Sequence, residues 1–137
     1  MKITVETEIT ASPSTVWDAW VTPDDIKNWN FATDEWCCPR ADINLVVGGK
    51  FNSRMEAKDG SMGFDLEGEF TEIDPQKYIR YKLEDGREVS IEFINSENTV
   101  KVIETFDAED EHSTDHQRQG WQSILNNFKK HVESKGD

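Results

Sequence analysis

Between Lys2 and Ile9, apolar or small residues alternate with charged and polar ones: Ile3, Val5, Thr7 and Ile9 share one face, the pattern of a half-buried strand. Ser12-Pro13 then reads as a helix cap with proline at the first helical position, and Val16, Trp17, Trp20 and Val21 line one side of the helix that follows. Thr22-Pro23-Asp24-Asp25 repeats the start signal, with acids in the first turn to meet the helix dipole. Pro23 would break a continuous ladder, so the pattern predicts two short helices, the second running to about Asn28. Phe31 to Cys38 is aromatic and irregular, and no element is assigned to it. Ala41 to Val47 reads as a strand ending at a Gly48-Gly49 turn.

A meander follows. Lys50 to Ala57 sets Phe51, Ser53 and Met55 against Asn52, Arg54 and Glu56, and Asp59-Gly60 is a hairpin signal. Gly63 to Ile73 sets Phe64, Leu66, Gly68 and Phe70 against Asp65, Glu67 and Glu69. Lys77 to Leu83, Glu88 to Ile94 and Thr99 to Phe106 alternate in the same way, with turns at Asp85-Gly86 and Asn95 to Asn98. The last segment, Thr114 to Val132, switches to a helical period with Trp121, Ile124, Leu125, Phe128 and Val132 on one face. Thr114 is its expected cap, with Gln117 closing a capping box. Gly120 is out of place inside this helix, where glycine costs about 1 kcal/mol relative to alanine. Either a bulky neighbour needs the space, or the backbone leaves room for a ligand.

These elements give an α+β chain. About six or seven antiparallel strands form a curved sheet with one buried face, wrapped around a long C-terminal helix, with two short helices after the first strand. The 137 residues suit a single domain, 1–137, with one core. The space between sheet and helix is either filled or left partly open as a pocket.

Charge narrows the partners. With 28 acidic residues against 15 basic, the net charge is -13, and no basic cluster interrupts it, so neither nucleic acid nor anionic lipid is an expected partner. The acidic run from Glu104 to Asp115 reads as a solvated loop, with a basic protein partner as the alternative. No stretch of about 18 apolar residues is present, and the N-terminus enters a strand pattern directly, so a cytoplasmic protein without membrane insertion is expected. Cys37 and Cys38 are adjacent, which suits two thiols in a reducing compartment. His112, Asp115 and His116 lack matching ligands elsewhere in the sequence, so no metal or other cofactor is expected.

Four local patterns carry a resemblance. Ala11-Ser12-Pro13-Ser14-Thr15-Val16-Trp17-Asp18-Ala19-Trp20 leads into Thr22-Pro23-Asp24-Asp25-Ile26-Lys27-Asn28-Trp29. Gly48-Gly49-Lys50-Phe51 enters a strand. Gly68-Glu69-Phe70-Thr71-Glu72-Ile73-Asp74-Pro75 gives G-x-[aromatic]-x-E-[aliphatic]-x-P, and Gly120-Trp121 with Leu125 gives G-W-x-x-x-L. In this order, from about Val5 to Val132, they resemble the activator of heat-shock-protein-90 ATPase homologue-1-like family of the START-like (SRPBCC) superfamily, single-domain bacterial type. The resemblance implies a helix-grip fold.

Three functions follow as expectations. The first is binding of a small hydrophobic or aromatic molecule (lipid, flavonoid or polyketide-like) between the sheet and the C-terminal helix. Phe51, Met55, Phe64, Leu66, Phe70, Ile91, Phe93, Gly120, Trp121, Leu125 and Phe128 are its candidate walls. The same residues would also serve as an ordinary core. The second is an enzyme acting on an aromatic substrate, a cyclase- or hydrolase-like role that the superfamily resemblance suggests. Acid-base work would need a titratable group in an apolar cavity, and Arg54 and Glu104 are the charged candidates, Glu104 because it shares strand parity with Val100, Val102 and Phe106. No G-x-S-x-G, H-E-x-x-H or phosphate-cradling loop is present, so no catalytic residue is assigned. The third, a co-chaperone-like interaction domain, rests on the family resemblance. Binding is favoured over catalysis.

Overall fold

The computed structural model describes residues 1–135. Strand β1 (Lys2–Ile9) is followed by helices α1 (Pro13–Val21) and α2 (Pro23–Trp29), then strands β2 (Trp36–Ile43), β3 (Lys50–Ala57), β4 (Gly63–Asp74), β5 (Tyr78–Leu83), β6 (Glu88–Asn95) and β7 (Val100–Asp107), and helix α3 (Thr114–Ser134). The seven strands form one antiparallel sheet in the order β1-β7-β6-β5-β4-β3-β2, curled into a half-barrel. β2 to β7 form a simple meander, and β1 joins it beside β7, with Val5 opposite Glu104. The two short helices carry the chain from one edge of the sheet to the other. The result is the helix-grip fold.

Alternation sets the inner face. Ile3, Val5, Ile9, Val100, Val102 and Phe106 are at most 2% exposed, and Leu125, Phe128 and Val132 of α3 close over them with none of their surface exposed. A leucine or phenylalanine buried this way is stabilising by about 1.5–3 kcal/mol. Val16 and Trp17 of α1 join the same core, Trp17 edge-on to Phe93 with ring centroids 5.5 Å apart.

Three local expectations are corrected. β2 begins at Trp36 and ends at Ile43, earlier than the Ala41 to Val47 pattern predicts. A bulge between Cys37 and Arg40 puts the buried Cys38 and Ala41 three residues apart, so the strand shows no period of two. Leu45 to Gly49 form a loop that Gly48 turns with φ +85°, tied to β4 by the Gly48 amide donating to the Phe70 carbonyl at 2.8 Å. At the start of α3 the cap is Ser113, whose hydroxyl accepts from the His116 amide at 3.1 Å, and not Thr114. Gln117 therefore forms no capping box. Its buried amide donates to the carbonyls of Glu109 and His112 and accepts from the Glu109 amide, fastening the β7–α3 loop to the helix. Ser12 caps α1 as expected, whereas Thr22 makes no side-chain cap and α2 relies on Pro23 and its first-turn acids.

Candidate functional site

The sheet is wider than α3 can cover. α3 lies along β1, and α2 lies against β2 at the opposite edge. Between them is a partly open chamber of about 280 Å³. Its floor is the inner face of β2 to β5 with part of β7. From β3 come Phe51, Ser53 and Met55; from β4, Phe64, Leu66 and Phe70; from β5, Ile79, Tyr81 and Leu83. Trp20, Ile26 and Trp29 of the short helices form one wall, and Trp121 and Ile124 of α3 form the roof.

Each wall is held from behind. Trp121 stacks flat on Phe106 at 3.9 Å, with 9° between the ring planes. Trp29 donates its indole N–H to the Ala19 carbonyl at 3.0 Å and packs edge-on to Phe128. Phe51 sits between Phe70 and Tyr81, its ring centroid 5.4 and 4.7 Å from theirs. Gly68 makes room for that ring, because a Cβ there would come within 2.6 Å of it. Asn127 of α3 donates to the Phe31 carbonyl at 2.6 Å, tying the roof to the loop after α2. The Asp25 carboxylate on α2 meets His131 at 2.8 Å and Lys135 at 2.7 Å, closing the same seam further along. Burial raises the Asp25 pKa, but the hydrogen bonds from Lys135 and His131 outweigh it and hold the group below the usual carboxylate range.

Polar groups in this lining are few: Asn30, Asp42 on the exposed rim, Ser53, Tyr81, Arg87 and Glu104. Glu104 is the exception among the deeply placed residues. It is 5% exposed, and burial alone pushes its carboxyl up to about 8. Tyr81 is raised well above 10 by its own burial and by the Glu104 charge.

Six of the residues expected as walls, Phe51, Met55, Phe64, Leu66, Phe70 and Trp121, face the chamber. Phe64 stands at the rim, 49% exposed and packed on Trp36. Ile91, Phe93, Leu125 and Phe128 belong to the filled part of the core instead. Gly120 is off the chamber, and a Cβ on it would meet no atom within 4 Å, so neither close approach nor ligand room explains it. The second helix, Ser53 and the whole inner face of β5 were missed as walls. Strand parity alone would have found Ser53, Ile79, Tyr81 and Leu83.

Of the acid-base candidates, Glu104 faces the chamber and Arg54 does not. Arg54 lies on the outer face of β3, paired with Glu56 at 2.9 Å and Asp65 at 3.4 Å. Cys38 is buried, and burial pushes its thiol up, the wrong direction for a nucleophile. His112 binds Glu109 at 2.7 Å and stacks on His116, while Asp115 pairs with Arg118. Glu109, Glu111 and His112 bring ligand atoms within 4.8 Å of one another on the surface, a grouping that acidic loops also adopt without an ion. Among the described residues no helix is long and apolar enough to cross a membrane.

A curled antiparallel sheet gripping a C-terminal helix over an apolar chamber defines a START-like domain, a fold that commonly binds hydrophobic ligands. The chain belongs, more narrowly, to the family described as Activator of Hsp90 ATPase homolog 1-like protein, which it matches over residues 10–133. It is similar to the AHSA1-like protein of Aeromonas hydrophila, known from a solution structure, with 44% identity over 99% of this chain and 94% of that one and a TM-score of 0.93. A Cytophaga hutchinsonii protein is 40% identical over 98% and 93% of the two chains, with a TM-score of 0.84. A Nitrosomonas europaea protein at 17% identity, over 99% and 96%, shares the fold with a TM-score of 0.82. A search among curated proteins gave no match.

Proposed function

We propose that this chain, acting as a single cytoplasmic domain, binds a small hydrophobic or aromatic molecule in the chamber between the sheet and helices α2 and α3. The observation that carries this reading is the contrast within one core. Beside residues packed to zero exposure lies a chamber of about 280 Å³ walled by aromatic and aliphatic side chains, of which Trp20, Ile43, Phe51, Leu66, Trp121 and Ile124 remain half-buried. Side chains that only had to fill space would collapse to native packing density. A chamber of this size suits a molecule of two or three fused rings or a short acyl chain, at the small end of ligand sites. Aromatic walls and Met55 suit a flat, apolar ligand.

The test is an amide NMR titration with fatty acids, sterols, flavonoids and aromatic polyketides. Saturable shifts at Phe51, Leu66, Tyr81, Trp121 and Ile124 are expected from at least one class. A folded sample that responds to none of them refutes the reading.

A further inference from the structure

Along β7 the inward positions are Val100, Val102, Glu104 and Phe106. Glu104 pairs with Val5 on one side and Ile91 on the other, and Ile91 pairs with Ile79 beyond. One carboxyl thus interrupts an otherwise aliphatic row across the sheet. It is more than nine-tenths buried and lines the chamber, and among the described residues it has no hydrogen-bond or ion-pair partner. A buried polar group without a partner is penalised and rare in folded proteins, and the shortfall is met when a ligand supplies the missing contact.

The surroundings decide which ligand. Tyr81 reaches the chamber from β5 and Arg87 from the turn before β6, while Asp42 stands on the rim of β2. The Arg87 Nε is already given to Asp85 at 2.7 Å. The neighbours from β1 and β6, Val5 and Ile91, carry no charge, nor do the lining residues of α2 and α3. The other guanidinium N–H groups of Arg87 have no partner among the described residues, so charge alone does not choose between an anionic and a neutral ligand. A hydrocarbon would leave the carboxyl unpaired.

We propose that the Glu104 carboxyl is the polar anchor of the chamber, selecting an aromatic ligand with a carbonyl oxygen over a hydrocarbon of the same size. The inference rests on the binding reading above. With its proton held up to about pH 8 by burial, Glu104 donates to the ligand carbonyl at neutral pH.

Two matched probes test it: acetylnaphthalene and ethylnaphthalene, titrated at pH 7 with amide shifts as readout. Acetylnaphthalene is expected to bind about three- to tenfold more tightly than ethylnaphthalene, the span of one net hydrogen bond. Glu104→Leu should erase the ketone preference. Glu104→Gln, which keeps a donor, should retain it. In the wild type the preference should fade as pH rises through about 8, where Glu104 loses its proton; in Glu104→Gln it should not. Tyr81 keeps its proton across that range, so it does not mimic the effect. Equal binding of ketone and hydrocarbon to the wild type, or a ketone preference that survives in Glu104→Leu, overturns the anchor while leaving the chamber standing. Failure of both probes to shift the lining residues overturns the anchor and the binding reading together.

Discussion

The two halves of this sheet are built from the same alternation and end differently. On the β1, β7 and β6 side, the inner residues meet α1 and the C-terminal part of α3, and Ile3, Val100, Phe106, Leu125 and Phe128 have no exposed surface. On the β2 to β5 side, Phe51, Leu66, Ile43, Trp121 and Ile124 stay half-buried around open space. A strand pattern says which face points inward. It does not say whether anything lies opposite. Here one helix along β1 and one two-turn helix against β2 leave the middle of the sheet uncovered. The filled half supplies stability, and the open half leaves the space that the proposed ligand would occupy.

That division can be broken most severely at Phe128, which has no exposed surface and meets Trp20 and Trp29 edge-on, each at 4.8 Å. Phe128→Ala should lose about 3–5 kcal/mol of unfolding free energy by denaturant titration. Glu104 gives the next largest effect and reports on the boundary between the halves. Its carboxyl titrates near 4.5 in the unfolded chain and near 8 when folded, so the folded state holds the extra proton between those values. Its contribution to stability is therefore intact below about pH 4.5, falls through that window and is lost above 8. Relative to Glu104→Leu, the wild type should lose on the order of 4 kcal/mol between pH 4.5 and 9. A constant difference between the two proteins across that range would show that the carboxyl is solvated.

Asp25 tests the seam that keeps the open half roofed. Asp25→Asn should cost about 1–2 kcal/mol at pH 7, because it leaves the half-buried His131 and the exposed Lys135 without their shared partner. The wild-type advantage should vanish as pH falls through the lowered pKa of Asp25. Leu66→Ala, in the open half, should cost about 1 kcal/mol, well below the Phe128 change, because its side chain already borders space. Gly120→Ala should stabilise by roughly 0.5–1 kcal/mol, since helical propensity improves and nothing stands in the way of the new Cβ.

The strands and the long helix were legible because alternation and helical period survive wherever one face is buried. β2 was misplaced because its bulge destroys the period that marks a strand. Glu104 was legible from its parity with Val100, Val102 and Phe106, whereas Arg54 has the opposite parity to Met55 and belongs outside, as the structure places it. Ile91 and Phe93 satisfy the same inward rule as Leu66 and Phe70. What separates core from chamber is strand order and the position of the covering helix, both long-range properties that no local pattern carries. Gly120 drew attention as an anomaly in a helix and has no counterpart in the packing.

The claim that one half is filled and the other open is tested most directly by methyl NMR under xenon pressure, because xenon enters dry apolar cavities without needing a specific contact. The account predicts shifts at Ile43, Met55, Leu66, Ile79 and Ile124, with Ile3, Val100, Val102 and Val132 unmoved. Shifts spread over both sets, or none at the first, would contradict it.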